Sequence, residues 1–279
     1  MVEEKEDDLN GDLPDEDVYN SDIFTADLEK QAIDNRRIKH QDFTKKRAAV
    51  ESVFDERTVF QLNKIITNGP LERIEGLISA GKEANVYLGY DLNGNEAAIK
   101  IYKIDRNTSR WMRKYIIGDP RFKKIPKNIS KVIYLWASKE YKNLRRAYNA
   151  HLSVPKPIYV KNNILIMEYI GNGRTPAPIL KNVSHIKNKE NLFQVVIAFI
   201  KELYQKAHLV HGDLSEFNIL YLDNKPIIID ISQAVDIQHP KAEELLVRDI
   251  KNIVNYFENL GIEFTESEKL YYEIINKKV

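Results

Sequence analysis

The residues best suited to chemistry lie between Leu209 and Asp230, in the stretch LVHGDLSEFNILYLDNKPIIID. Asp213 follows a His-Gly pair, Asn218 comes five residues later, and Asp230 ends a short apolar run. One carboxylate to orient a hydroxyl nucleophile, with an amide and a second carboxylate to hold magnesium, is the equipment of phosphoryl transfer. Asp213 alone is better explained as capping its loop, but together with its two companions it predicts an ATP- and Mg²⁺-dependent site.

A turn of small residues, SAGKEANV at 79–86, stands where such a site needs a phosphate-binding loop. Of the three glycines in the kinase pattern G-x-G-x-x-G-x-V only Gly81 is present, with Ser79 and Ala84 in the outer places. Small residues let backbone N–H groups approach a triphosphate closely. The alternative is an ordinary hairpin turn, which has the same residue types. The nucleotide-binding residues predicted here are Ser79, Gly81, Lys82, Glu83, Ala84 and Val86.

Lys100 lies within an apolar strand pattern, where a buried ammonium is costly without a partner. A helix predicted over 132–152 carries Glu140 at the border of its apolar face. We therefore predict that Glu140 pairs with Lys100 and that Lys100 faces nucleotide phosphates. The alternatives are a Lys whose ammonium reaches solvent and a Glu in a surface salt bridge.

A continuously apolar stretch before Glu168 predicts a buried strand that runs into a glycine-containing connector. Backbone groups of Glu168 and Ile170 would then lie where an adenine edge can be hydrogen-bonded. A plain strand-to-loop exit explains the same residues.

Composition limits the class of protein. The chain has 279 residues, of which 43% are hydrophobic and 30% charged, as expected of a soluble protein with a core. The absence of Cys excludes disulfides, thiolate catalysis and Cys-ligated zinc. With no run of 18 apolar residues and an acidic N-terminus, we expect no membrane span, no secretion signal and a cytoplasmic setting.

Charge is distributed unevenly along the chain. Residues 101–127 contain nine Lys or Arg and two Asp. With Trp111 and Tyr115 this segment can contact RNA phosphates and stack on bases; alternatively it is a solvated loop with locally packed aromatics. The predicted divisions are an acidic disordered tail (1–30), a helical extension (31–70), an N-lobe (71–170) with a basic insert (103–130), and a C-lobe (171–279) with its catalytic loop at 211–218.

Several segments together resemble the RIO family of atypical serine/threonine protein kinases. They are SAGKEANVY, AIKIY, KEYKNL, VPKPI, LVHGDLSEFNILY, IIIDISQAV and the pair His239-Pro240. The motif S-x-G-K-E-A-x-V-Y resembles that of the Rio-one subfamily. The resemblance to the family spans about Thr58 to Leu260. It implies an α+β, bilobal protein-kinase-like fold with an N-terminal β-sheet lobe, a reduced helical C-terminal lobe and extra N-terminal helices.

The resemblance also implies roles for the residues. Lys100 would bind ATP phosphates and pair with Glu140, while Glu168 and Ile170 would supply backbone contacts to adenine. Asp213 would be the catalytic acid/base. Asn218 and Asp230 would hold Mg²⁺, with Mn²⁺ possible, and Asp230 would also accept phosphoryl as an aspartyl-phosphate. The family acts in late maturation of the small ribosomal subunit, which implies precursor protein and rRNA as partners, with no membrane and no DNA.

Two departures from ordinary kinases bear on the acceptor. Asp230 is followed by Ile-Ser rather than Phe-Gly, and 49 residues follow it, which we expect to be too few for an activation segment and a peptide-binding helical half. ATP hydrolysis, autophosphorylation or docking on a ribonucleoprotein is then favoured over ordinary peptide phosphorylation.

Two other functions remain open. One is a small-molecule phosphotransferase of the aminoglycoside or choline kinase type, whose loop also reads H-G-D-x4-N. The other is a non-enzymatic, ATP-switched ribosome-assembly module. A DNA-binding helix-turn-helix within 31–70 is disfavoured, since no second recognition helix is evident.

Overall fold

The computed structural model of the chain describes residues 55–263 and 267–275. The predicted acidic tail and the first part of the helical extension lie outside the described residues. Helix α1 (Glu56–Asn68) begins after Asp55, whose side chain accepts the backbone N–H groups of Arg57 and Thr58. It ends at Gly69, which is followed by Pro70, a residue that cannot continue the helix.

A five-stranded antiparallel sheet follows, with the strand order β1-β2-β3-β5-β4. Side chains alternate between its two faces because successive residues of a strand point in opposite directions. In β3, Ile99 and Ile101 pack with Leu62 and Ile65 of α1. The bounds are β1 (Leu71–Ala80), β2 (Ala84–Asp91), β3 (Glu96–Tyr102), β4 (Pro157–Lys161) and β5 (Ile164–Glu168).

Residues 106–116 of the basic insert form a helix, which the alternative of a solvated loop with locally packed aromatics did not include. Helix α2 (Arg106–Ile116) buries Met112 and Ile116, which lie one turn apart on its inner face. Trp111 and Tyr115 pack their rings against Trp136, with ring centroids 5.5 and 6.2 Å from it. The aromatic side chains therefore contact the protein core, as the local-packing alternative expects.

The long helix α3 (Ile129–Asn149) crosses behind the sheet and starts at Asn128, whose side chain accepts the N–H of Lys131. The insert is fastened to both lobes around it. Arg121 donates to Asn143 of α3 at 2.7 Å. The ring nitrogen Nδ1 of His239 accepts the N–H of Lys241 at 3.0 Å, so Nε2 donates to the carbonyl of Ile117 at 2.9 Å.

The second lobe is built on helices with short strand pairs between them. Helix α4 (Lys189–Gln205) buries an apolar face that includes Phe193, Val196 and Ile200, and its neighbour α5 (Ala242–Asn259) packs against it. Strand β8 pairs with β11, β9 with β10 and β6 with β7, all antiparallel. The bounds are β6 (Gly171–Asn172), β7 (Thr175–Pro176), α4 (Lys189–Gln205), β8 (Leu209–Val210), β9 (Ile219–Leu222), β10 (Lys225–Ile228), β11 (Val235–Asp236), α5 (Ala242–Asn259) and α6 (Ser267–Ile274).

These two parts, a sheet with its helices and a helical lobe, confirm the predicted bilobal α+β fold. Within the described residues, no helix combines the length and the apolar character that a membrane crossing requires.

Candidate active site

The side chain of Lys100 lies between two carboxylates. Its Nζ is 2.9 Å from Oε1 of Glu140 and 2.8 Å from Oδ1 of Asp230. Lys100 is 6% exposed and Glu140 is fully buried, whereas the Asp230 side chain is 45% exposed to the cleft. The predicted pairing of Lys100 with Glu140 is therefore present, and both alternatives for these residues are excluded.

The three charges shift one another's protonation. Desolvation alone would lower the pKa of Lys100, but Asp230 and Glu140 outweigh it and hold that pKa above its ordinary value. Desolvation raises the pKa of Glu140 to about 7, against the lowering effect of Lys100. For Asp230, desolvation is outweighed by Lys100 and by hydrogen bonds, so its pKa is lowered. Asp230 therefore stays ionised at neutral pH, and Glu140 takes up a proton first as the pH falls.

Two helical side chains hold the segment that follows Asp230. Lys139, which is fully buried, donates to the carbonyls of Ser232, at 2.8 Å, and Ala234. Asn143 donates to the carbonyls of Ile231 at 2.8 Å and Ala234 at 3.0 Å. Burial lowers the pKa of Lys139 well below its ordinary value. The segment is thereby fixed to α3, although Asp230 itself has a left-handed backbone with φ of 55°.

Hydrogen bonds from residues of α5 hold the loop that carries Asp213. The buried carboxylate of Asp249 accepts the N–H of Gly212 at 2.7 Å and that of Leu214 at 2.8 Å. Arg248 donates to the Gly212 carbonyl, and Asn252 donates to the Leu214 carbonyl at 3.1 Å. Gly212 has φ of 78°, a conformation that other residues adopt at a cost. The loop is thus held on both sides of Asp213 by one helix.

Asp213 itself has two neighbours that define its position. Gln233 donates to its Oδ2 at 2.7 Å, and the side-chain amide of Asn218 donates to its backbone carbonyl at 2.7 Å. Desolvation raises the pKa of Asp213, while Arg248 and the bond from Gln233 lower it in part. Because the Asn218 nitrogen is used in this bond, its oxygen is the atom left for a cation.

The 79–86 turn joins β1 to β2 and brings Glu83 within electrostatic range of Lys100, Asp213 and Asp230. Gly81 donates its N–H to the Ala84 carbonyl at 2.9 Å, and a Cβ at Gly81 would come 2.9 Å from the same oxygen. Ser79 pairs with Val86 across the hairpin, and Lys82 is exposed. Desolvation, and then Asp230, raise the pKa of Glu83 to about 7, so its carboxylate is electrostatically coupled to the cleft.

The connector between the lobes follows β5, as predicted. Glu168 donates its N–H to Lys156 at 2.8 Å, and the Ile170 carbonyl accepts the N–H of Ala177 at 3.0 Å. The carbonyl of Glu168 and the N–H of Ile170 are the groups that adenine would need, and these contacts stay a prediction.

The sequence reasoning missed several residues that hold the site, among them Tyr102, Lys139, Gln233 and Asp249. Tyr102 donates its hydroxyl to Oε2 of Glu140. A signal existed for Asp249, since it interrupts the apolar face of α5 formed by Leu246, Ile250 and Ile253. For Lys139 the signal was its position directly before Glu140 in the sequence.

Comparison with known proteins agrees with this geometry. The profile of the RIO domain family matches residues 85–270. The RIO-type serine/threonine-protein kinase Rio1 of Haloferax volcanii is 40% identical over 221 residues, covering 79% of this chain and 75% of that protein. Human serine/threonine-protein kinase RIO1 is 43% identical over 214 residues, covering 76% of this chain but only 38% of that protein.

A solved structure, the Rio2 kinase-ADP/Mg²⁺-phosphoaspartate complex from Chaetomium thermophilum, shares the fold. Its TM-score is 0.62 at 24% identity, over 78% of this chain and 65% of that one. The kinase-like fold predicted from the sequence is therefore confirmed. The family match and the identity to Rio1 proteins over most of the sequence show that this chain belongs to the RIO family of atypical serine/threonine protein kinases, in its Rio1 branch.

Proposed function

We propose that this chain catalyses Mg²⁺-dependent phosphoryl transfer from ATP, with ATP hydrolysis as its main activity, and acts in late maturation of the small ribosomal subunit. The observation that carries the proposal is the Lys100 ammonium, held between Glu140 and Asp230 in the cleft that also contains Asp213. In this arrangement Lys100 binds and neutralises nucleotide phosphates. The phosphate-binding turn and the backbone of Glu168 and Ile170 hold the rest of the nucleotide.

The donor set fits a magnesium ion. Asn218 and Asp230 offer one amide and one carboxylate oxygen, the hard ligands that Mg²⁺ prefers. Between residues 55 and 263 and in 267–275, no group of three or more His, Cys, Asp or Glu is arranged to hold a metal alone. A bound Mg²⁺, or Mn²⁺ in its place, would take its remaining ligands from water and from the nucleotide phosphates. When bound, the ion supplies neutralisation of charge on the transferred phosphate.

Asp213 acts on the attacking hydroxyl. Its carboxylate orients a hydroxyl group and accepts its proton, while Gln233 and Asn218 fix its direction. Since little covalent chemistry is asked of the protein, positioning of these groups dominates the rate.

The segment between Asp230 and α5 bears on the acceptor. Residues 231–234 are bound to α3 and Val235–Asp236 pair with β8, so this connection provides no extended surface for a peptide. Water, or Asp230 itself, is therefore favoured as the acceptor over a protein hydroxyl. Autophosphorylation of this chain remains compatible with the same cleft.

In the aspartyl-phosphate route, Asp230 is the nucleophile. Its carboxylate oxygen bonds to the γ-phosphorus as the bond from phosphorus to the ADP oxygen breaks, and water then hydrolyses the acyl phosphate. The Rio2 complex named above contains phosphoaspartate, which supports the proposal for Asp230. A small-molecule phosphotransferase would instead turn over a choline- or aminoglycoside-like acceptor.

The first prediction concerns Asp213→Asn. We expect ATP turnover to fall by roughly 100-fold or more, because general base catalysis typically contributes 10²–10⁴-fold, while the dissociation constant for ATP stays within about threefold. Turnover is measured by phosphate release and binding by calorimetry. The matched control is Asp223→Asn at an exposed hairpin turn. Equal turnover in Asp213→Asn and in the control would remove the catalytic assignment and favour the ATP-switched module.

The second prediction concerns Gln233→Leu. Removing the hydrogen bond to the ionised carboxylate raises the pKa of Asp213 further, so the acid limb of kcat/KM moves to higher pH. The pH profile of ATP turnover measures this shift, with Gln194→Leu on the exposed side of α4 as control. A lower rate with an unmoved acid limb would contradict the role given to Gln233.

The third prediction concerns the phosphorylated residue. After incubation with γ-labelled ATP and Mg²⁺, we expect label that hydroxylamine releases and that peptide mapping assigns to Asp230, since acyl phosphates react with hydroxylamine. Chelation of Mg²⁺ should prevent labelling. Label confined to Ser or Thr would refute the aspartyl-phosphate route and leave autophosphorylation.

The partner proposal, a small-subunit precursor bound through rRNA, rests on the basic insert. Arg106, Arg110 and Lys114 are exposed along α2. Since Trp111 and Tyr115 pack inward, phosphate contacts rather than base stacking would supply the affinity.

The fourth prediction tests this surface by replacing those three residues with Ala. Affinity for small-subunit precursor particles should fall, and the slope of log K against log salt should decrease by about three, or about one per lost phosphate contact. The control replaces three exposed lysines of the other lobe: Lys187, Lys201 and Lys251. An affinity that is independent of salt, or equally weakened by both triple variants, would refute the proposed surface.

A further inference from the structure

A buried polar contact joins the N-terminal helix to the sheet. Thr58, which is 1% exposed, donates its hydroxyl to Oδ2 of Asp55 at 2.8 Å. The same hydroxyl oxygen accepts the side-chain N–H of Asn163 at 2.9 Å. Asn163 is 2% exposed and lies at the turn between β4 and β5. The apolar residues Leu62 and Ile65 already attach α1 to the sheet, so packing alone does not require these polar groups.

The contact continues into β3. The Asn163 side chain also donates to the backbone carbonyl of Tyr102 at 2.9 Å, and the Tyr102 N–H donates to the backbone carbonyl of Asn163 at 2.9 Å. The end of β3 is thereby fixed from the side of α1. Tyr102 is 1% exposed and lies two residues beyond Lys100, so both side chains leave the same face of the strand.

Tyr102 completes the connection to the cleft. Its hydroxyl donates to Oε2 of Glu140, while Oε1 of Glu140 accepts from Lys100. The two oxygens of this fully buried carboxylate thus have different partners. A buried carboxylate that loses one partner is left with an unsatisfied oxygen and a less defined rotamer. The direction of Lys100 depends on that rotamer.

We propose that Thr58 and Tyr102 are positioning residues for phosphoryl transfer, and that α1 sets the rate through the hydrogen-bond chain Thr58–Asn163–Tyr102–Glu140. The proposal rests on the proposed function, because it assigns to α1 an effect on turnover in the Lys100 cleft. It goes beyond that function in making the N-terminal helix a working part of the site. A partner that displaces α1 would lower turnover without entering the cleft.

The test compares Thr58→Val and Tyr102→Phe with the parent chain. We expect kcat for ATP hydrolysis to fall roughly 10-fold in Tyr102→Phe, because this variant loses a hydrogen bond to a charged group. In Thr58→Val we expect a fall of roughly 3-fold or more, because the effect on Glu140 is indirect and weaker. KM for ATP should change less than kcat, since neither residue belongs to the proposed nucleotide-binding set. Thr58→Ser keeps the hydroxyl and should restore kcat.

The chain offers matched controls. Thr108 bonds its hydroxyl to the helix-capping Asp105 of α2, as Thr58 does to Asp55 of α1, but Thr108 has no link to Glu140 among its contacts. Thr108→Val therefore removes the same kind of cap. Tyr256 donates its hydroxyl to the Leu180 carbonyl in the other lobe, so Tyr256→Phe removes a comparable tyrosine bond. Neither control should change kcat by more than about 1.5-fold, the range of ordinary surface effects.

Coupling between the two positions gives a second measurement. If both act through one chain, the double variant Thr58→Val/Tyr102→Phe should be no slower than Tyr102→Phe alone within roughly 1.5-fold, because coupled residues are non-additive. Effects that multiply would show that the two residues act separately and would overturn the chain.

The reactivity of Lys100 can be measured without ATP turnover, and it therefore tests the positioning roles separately from the proposed function. The rate of acetylation of Lys100 by acetic anhydride, followed by peptide mass spectrometry, reports how firmly Glu140 holds the ammonium. It should rise in Thr58→Val and Tyr102→Phe and stay at the parent value in both controls. Unchanged acetylation and kcat, or equal losses in Thr58→Val and Thr108→Val, would overturn the inference. An inactive parent chain with the expected acetylation pattern would refute the proposed function alone.

Discussion

The buried ammonium of Lys100 is the constraint on which the site depends. A charge at 6% exposure is tolerated only when it is paired and hydrogen-bonded. Its two partners come from different parts of the fold, Glu140 from α3 and Asp230 from the end of the β9–β10 hairpin. One nitrogen atom therefore ties the sheet, the long helix and the second lobe together. The position of Lys100 can be correct only when all three are in place.

The same helix supports both sides of that contact. Glu140 holds the ammonium, and the residue before it, Lys139, holds the carbonyls of the segment after Asp230. Any movement of α3 away from the cleft would break the ion pair and leave a buried lysine without its acceptors, each at a considerable cost. The short segment from Asp230 to α5 is thus bound to the helix rather than free to rearrange.

The sequence predicted the groups whose roles are local and failed where the role depends on distant contacts. Asp213 and Asn218 share one short loop, and Lys100 and Glu140 are recognisable because a strand Lys and a helix Glu need each other. Tyr102, by contrast, looks like any strand aromatic until its hydroxyl is found at Glu140. In α2, the density of Lys and Arg obscured the buried apolar residues, Met112 and Ile116, that pack the helix against the protein. The acidic tail, residues 1–30, lies outside the described residues, so its predicted disorder stays a prediction.

The charge of the cleft gives a physical reason to expect a cation with the nucleotide. Glu83, Glu140, Asp213 and Asp230 interact electrostatically with one another, and the cations coupled to them in the described part of the chain, chiefly Lys100 and Arg248, are fewer. Like charges at close range raise each other's pKa, which is part of the reason that Glu83 reaches about 7. An anionic triphosphate entering such a cleft adds to the repulsion unless it brings positive charge with it. The carboxylates that favour a metal ion therefore also disfavour the metal-free nucleotide, and Asp230, which would hold the metal, contributes to both effects.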